Sequence, residues 1–243
     1  MTWVKICGIT NLEDALVAVD AGADAVGFVF YEKSARYVDA EIAGEIAKHL
    51  PPRIEKIGVL VGNYGGNLAD LVRQAGLTGM QTHIRPGLES GPQGKAYGPG
   101  CFPDGFAYCI SLPAEWFIEA QDSVRSFLTQ MKAVTEARRS QFGIGQMPPL
   151  STVFLDSGNL QQPGGTGRAF DWQKALPVVE YMRPDFRTVV AGGLTPSNVG
   201  EAIGVLKPWG VDVSSGVEAK PGKKDPVKVR AFIAAVRASE KKV

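Results

Sequence analysis

Cys7 lies in the run Lys5-Ile6-Cys7-Gly8-Ile9-Thr10. Side chains alternate along a strand, so Lys5 and Cys7 share a face. A thiol acts as a base or nucleophile only as its thiolate. Thr10 or Asn11 can cap a following helix, whose positive N-terminal end favours that anion. A lone buried cysteine is more often just a packed small residue. Lys5 makes that apolar role less natural, because a buried ammonium needs a partner. Asp156 closes the run Val153-Phe154-Leu155-Asp156 and is followed by Pro163-Gly164-Gly165-Thr166-Gly167. An acid ending an apolar strand beneath a glycine loop suits a catalytic carboxyl under a lid. A turn cap explains it equally well.

Two turns near the C-terminus point to an anion. Val190-Ala191-Gly192-Gly193-Leu194-Thr195-Pro196 and Asp212-Val213-Ser214-Ser215-Gly216-Val217-Glu218 both put small residues where backbone N–H groups can approach a ligand. Ordinary tight turns would look alike singly, but two in succession favour phosphate. Arg36, in Lys33-Ser34-Ala35-Arg36-Tyr37, could grip a carboxylate bidentately or simply face solvent. His83 is as readily a satisfied core histidine as a catalytic one.

These residues need elements to hold them. Short β-branched runs predict strands at Trp3–Ile6, Ala25–Phe30, Lys56–Val61, Gly79–His83, Phe106–Leu112, Thr152–Leu155, Thr188–Ala191 and Val211–Val213. Amphipathic stretches between them predict helices at Leu12–Ala21, Ala40–Leu50, Leu68–Ala75, Ala114–Ser140, Trp172–Met182, Pro196–Leu206 and Pro226–Ser239. Such alternation needs a parallel sheet, and this many strands favour closure: an α/β chain forming a single (β/α)₈ TIM barrel over 1–243. Ala21-Gly22, Ala75-Gly76 and Trp209-Gly210 each read as a helix-capping glycine before a strand. Ile84–Gly105 breaks the rhythm. Its Gly and Pro content predicts an irregular segment that replaces or shortens the fourth helix, a domain linker being the alternative.

Composition sets bounds. The 243 residues are 44% hydrophobic and 21% charged, enough apolar content for a substantial core. A formal net charge of +1 gives no global field for nucleic acid or anionic lipid. No apolar run is long enough to span a bilayer, and Met1–Gly8 lacks a secretory h-region. An odd set of cysteines, Cys7, Cys101 and Cys109, is no disulfide framework, so a cytoplasmic setting is expected. No metal-ligand cluster stands out, and no cofactor is expected. The expected partner is a small phosphorylated molecule, with the chain a monomer or homodimer.

Taken together, Lys5–Thr10, Gly27–Phe30 with Ser34–Tyr37, Leu155-Asp156 with Gly164–Gly167, Ala191–Pro196 with Asn198, Asp212–Glu218 and Pro221–Asp225 resemble the phosphoribosylanthranilate isomerases of tryptophan biosynthesis. The resemblance covers both ends of the chain and most of its strands. It departs at the end of the fourth strand, where the family has Gln-Leu-His-Gly and this chain has Gln81-Thr82-His83-Ile84. It implies an Amadori rearrangement, with Asp156 protonating the ribose ring oxygen and Cys7 removing the C2′ proton. It also implies Arg36 on the anthranilate carboxylate and the last two loops as the phosphate cradle. Within them lie Gly192, Gly193, Ser214, Ser215 and Gly216, with Asp212 near a ribose hydroxyl. His83 and Gly165 complete the substrate-binding set. The related isomerase of histidine biosynthesis normally uses two aspartates, so Cys7 argues against it. A non-catalytic barrel binding a phosphorylated ligand is the remaining alternative.

Overall fold

Eight parallel strands close into a barrel in strict chain order, β1-β2-β3-β4-β5-β6-β7-β8. The computed structural model describes residues 1–61, 64–83, 105–120, 122–130, 133, 150–157 and 169–240. The strands are β1 (Trp3–Cys7), β2 (Ala25–Val29), β3 (Glu55–Val61), β4 (Gly79–His83), β5 (Ala107–Pro113), β6 (Leu150–Asp156), β7 (Arg187–Val190) and β8 (Gly210–Val213). Each falls within a residue or two of its expected run. Around them pack α1 (Leu12–Ala21), α2 (Ala40–Lys48), α3 (Leu68–Gln74), α4 (Ala114–Glu119), α5 (122–130), α6 (Trp172–Met182), α7 (Val199–Leu206) and α8 (Pro226–Glu240). A hairpin of β9 (Glu218–Lys220) and β10 (Lys223–Lys224) follows the barrel.

Strand parity sorts the side chains. On β1, Val4 and Ile6 face outward into the main apolar core under the helices. Trp3, Lys5 and Cys7 face the barrel interior. That interior has a lower apolar cluster of Cys109, Phe154 and Val189 and an upper one of Cys7, Val29 and Val59. Lys5 sits between them, its Nζ 5.0 Å from the Phe154 ring centroid.

The sequence erred in places. The expected helix Ala114–Ser140 is interrupted: α4 ends at Glu119, and Ala120, with φ of −133° and ψ of 49°, leaves the helical region before α5, while the expected stretch 134–140 lies outside the described residues. The apolar period survives the break because both pieces face the same core, with Trp116 and Phe127 rings 5.3 Å apart. Gly22 does take the left-handed cap of α1, but Gly210 caps nothing. The left-handed residue after α7 is Lys207 (φ 42°), and Gly210 is instead in β8. A Cβ there would stand 2.9 Å from Trp3. The expected irregular segment at 84–104 lies outside the described residues.

Candidate active site

Cys7 ends β1 at the top of the barrel, where loops after the strands gather. Gly27, its neighbour on β2, makes room: a Cβ there would meet Cys7 Sγ at 2.8 Å and Lys5 Cε at 2.9 Å. Lys5 finds the partner its burial requires. It lies opposite Asp212 in the β1–β8 ladder, and its Nζ donates to Asp212 Oδ1 at 3.1 Å and to Gln81 Oε1 at 2.8 Å. Burial works against the Lys5 ammonium, but Asp212 and Cys7 outweigh it and hold its pKa above the ordinary value.

Asn11 does cap α1, accepting from the Asp14 N–H at 3.0 Å. Even so, burial pushes the Cys7 pKa above its ordinary 9.0, against the pull of Lys5 and Lys224. The resting group is therefore a thiol whose anion is favoured by the ammonium groups of Lys5 and Lys224. Cys109, buried lower in the barrel, is pushed up to about 12 and is inert packing.

Asp156 ends β6, three steps from β1 around the closed ring. It and Cys7 line one cavity of about 290 Å³, together with Asp212, Gln81 and His83. His83, half-buried at the end of β4, is pushed down to about 4 by burial and by the Lys5 charge. Its imidazole is neutral near pH 7.

The two glycine turns follow β7 and β8, between Asp156 and Cys7 in the ring. Gly192 and Gly193 hold positive φ of 75° and 66°, as does Gly8 at 77°. A Cβ on Gly216 would stand 1.8 Å from the Leu194 carbonyl oxygen, so the loops after β7 and β8 are in direct backbone contact. Asn198 pins the first loop: its Nδ2 donates to the Gly193 carbonyl at 3.0 Å and its Oδ1 accepts from the Thr195 N–H at 2.8 Å. That use of Asn198 also explains why α7 begins at Val199 and not at Pro196. Ser214, Ser215, Gly192 and Gly193 line the cavity. Ser214 Oγ is buried and makes no hydrogen bond among the described residues. A polar atom so placed is waiting for an acceptor or donor.

Arg36 lines the same cavity but is neither solvated nor unengaged. Glu218 takes its fork, with Nε to Oε1 and Nη2 to Oε2 both at 2.8 Å. A Cβ on Gly8 would meet Arg36 Cδ at 2.6 Å and Ser214 Oγ at 2.9 Å, so only glycine lets the end of β1 come this close to both. The structure thus gathers Cys7, Arg36, His83, Asp156, Asp212 and both glycine loops at one place. Gly165 lies outside the described residues. Glu218, Lys224 and Gln81 were not singled out in the sequence. Lys5 alone signalled that buried acceptors must exist, without saying where. Among the described residues, no group of three or more His, Cys, Asp or Glu side chains is arranged to hold a metal ion. No helix among them is long and apolar enough to cross a membrane.

Known proteins match this chain along its length. The sequence model described as N-(5'phosphoribosyl)anthranilate (PRA) isomerase matches residues 122–235. The N-(5'-phosphoribosyl)anthranilate isomerase of Thermotoga neapolitana is 40% identical over 234 residues, covering 96% of this chain and 97% of that protein. The crystal structure of phosphoribosyl anthranilate isomerase from Thermotoga maritima superposes with a TM-score of 0.71 at 36% identity, covering 98% of this chain and all (100%) of that one. A second crystal structure of a phosphoribosyl anthranilate isomerase, in complex with reduced 1-(o-carboxyphenylamino)-1-deoxyribulose 5-phosphate, has a TM-score of 0.67 at 33% identity and covers 98% of this chain and 100% of that one.

Proposed function

This chain belongs to the N-(5'-phosphoribosyl)anthranilate isomerase family, and from that membership we propose that Cys7 and Asp156 are the base and acid of its reaction. The activity is the Amadori rearrangement of N-(5'-phosphoribosyl)anthranilate to 1-(2-carboxyphenylamino)-1-deoxyribulose 5-phosphate, in tryptophan biosynthesis. Asp156 gives its proton to the ribose ring oxygen, and the ring opens to a Schiff base. The Cys7 thiolate takes the C2′ proton, leaving an enolamine. That enolamine takes a proton at C1′ while its C2′ hydroxyl gives one up to become the ketone, and exchange with solvent returns Cys7 to the thiolate and Asp156 to the acid, so protons balance. The observation that carries this assignment is the single cavity lined by Cys7, Asp156 and Ser214. Lys5 steadies the thiolate by its adjacent charge.

Substrate binding follows the same cavity. The phosphate sits against the loops of Gly192–Gly193 and Ser214–Gly216, meeting the buried Ser214 Oγ and backbone N–H groups. Glu218 occupies the Nε–Nη2 edge of Arg36, so the anthranilate carboxylate meets the guanidinium from its Nη1 side. Asp212 faces a ribose hydroxyl and neutral His83 lies against the substrate. Gly165 belongs to the binding set on sequence grounds. The whole chain, 1–243, acts as one barrel domain in the cytoplasm, as a monomer or homodimer. It needs only its phosphorylated substrate, with no metal, cofactor, nucleic acid or membrane.

Turnover of phosphoribosylanthranilate, followed by loss of its anthranilate fluorescence, tests the assignment. Cys7→Ala and Asp156→Asn should each lower kcat by about 10²–10⁴-fold, the usual scale for a general acid or base. KM, and competitive inhibition by inorganic phosphate, should stay within a few-fold of the parent. A variant that keeps near-parent kcat removes that residue from the mechanism.

A further inference from the structure

Lys224 is a buried cation that the reaction scheme does not use. Its side chain is 0% exposed, and lysine is rarely buried so fully without partners. Nζ reaches Glu218 Oε1 at 3.0 Å and the Ser214 carbonyl oxygen at 3.3 Å. Both oxygens of Glu218 are engaged. Oε1 accepts from Arg36 Nε at 2.8 Å, from Lys224 and from the Gly222 N–H at 3.3 Å, while Oε2 accepts from Arg36 Nη2 at 2.8 Å. Among the described residues, Arg36 and Lys224 thus share one carboxylate.

The surrounding fold is arranged to keep Lys224 in place. Lys224 stands opposite Glu218 in the β9–β10 hairpin. Its own N–H donates to the buried Asp14 Oδ2 at 2.7 Å, and Lys223 Nζ lies 2.8 Å from Asp14 Oδ1, fastening the hairpin to α1. Stability alone does not call for such a cluster, because apolar side chains of similar volume usually do as well as a buried ion pair. An excess cation does make sense where an anion is to be received. Burial lowers the Lys224 pKa more than Glu218 raises it, so a nearby substrate anion would favour the charged form.

We propose that Glu218 and Lys224 are positioning residues that join the Arg36 carboxylate grip and the Ser214 phosphate loop into one frame with a surplus positive charge. Glu218 aims the guanidinium, and Lys224 ties Glu218 to the loop that receives the phosphate. This rests on the assignment of Arg36 and Ser214 made above. The frame fits a ligand with a carboxylate at one end and a phosphate at the other.

Steady-state kinetics on Glu218→Gln, Lys224→Met and Arg36→Ala, with inorganic phosphate as competitive inhibitor, test it. Glu218→Gln can keep its amide oxygen toward Lys224, Gly222 and Arg36 Nε while setting an N–H against Arg36 Nη2. It should raise KM about tenfold, with kcat within about threefold and phosphate inhibition unchanged. Lys224→Met should raise KM comparably and also weaken phosphate inhibition about fivefold, since it frees the Ser214 carbonyl. A merely structural role would lower the thermal midpoint and the active fraction without this split. If Lys224→Met does not fold, Glu218→Gln carries the test alone. KM within twofold of the parent in Glu218→Gln, with Arg36→Ala raising it, overturns the proposal and leaves the carboxylate assignment standing. Unchanged KM in Arg36→Ala overturns both.

Discussion

Two buried lysines, Lys5 and Lys224, meet their acids in different ways. Lys5 has its carboxylate as its neighbour in the strand ladder, one cation to one anion, with the Gln81 amide as a second acceptor. It lies inside the barrel against the base of the cavity. Lys224 lies at the rim, in a hairpin outside the barrel, and shares Glu218 with Arg36. The balanced pair sits next to the thiol, where local potential decides whether a proton leaves. The surplus charge sits by the loops, where an anion arrives. Burial suppresses a thiolate, and lower in the barrel the Cys109 thiol is pushed up to about 12 even with the Lys5 charge pulling against that rise. Cys7 is also buried, but it has Lys5 and Lys224 pulling against that effect. Both lysines therefore favour the thiolate, but only Lys224 also ties Glu218 to the Ser214 loop, and variants should separate the two roles.

The largest effect should come from the interior pair. Lys5→Met strands Asp212 without its cation, and breaking a buried pair from one side costs about 3–5 kcal/mol. Urea unfolding should show that loss. The pH profile should move as well: without Lys5 the Cys7 pKa rises further, so the alkaline fall of kcat/KM shifts to higher pH. A profile left in place would make Lys5 a structural residue only. Next in size is Arg36→Ala at the rim. It should raise KM about tenfold, roughly 1.4 kcal/mol, with kcat nearly unchanged, and a fall in kcat instead would blur the division between the two lysines. The smallest effect concerns His83, which borders both regions. Its folded pKa of about 4 lies below the ordinary 6.5, so it contributes stability that is present above about pH 6.5 and lost as pH falls towards 4. Imidazole NMR should find it neutral at pH 5.5, whereas titration near 6.5 would contradict the burial and charge assigned to it.

Much of this was legible in the sequence, for identifiable reasons. Strand period and turn glycines located β1 to β8, because a barrel strand must alternate inner and outer faces. Cys7 and Asp156 were visible because each ends an apolar strand run. Gly192–Gly193 and Ser214–Gly216 were visible as small residues in consecutive loops. The ion network was not. Lys5 and Asp212 are 207 positions apart and meet only when the barrel closes. Lys224 reads as an ordinary lysine in a charged tail until the β9–β10 hairpin folds it onto Glu218. The rise of the thiol's pKa was not legible either, because burial inside a barrel cannot be read from a helix cap. The break between α4 and α5 was hidden by an apolar period common to both.

The central claim is that Cys7, as a thiolate, is the base. It is tested by measuring kcat/KM for phosphoribosylanthranilate against pH beside the rate of Cys7 alkylation by iodoacetamide, in a Cys101→Ser, Cys109→Ser background. Because the reaction needs Cys7 ionised and the Asp156 carboxyl protonated at once, kcat/KM should turn downward at the same apparent pKa at which the alkylation curve rises. Because burial pushes the thiol up, that pKa should lie above the ordinary cysteine value of 9.0. A kcat/KM that stays flat across the range in which Cys7 alkylation rises would show that the thiol takes no proton from the substrate.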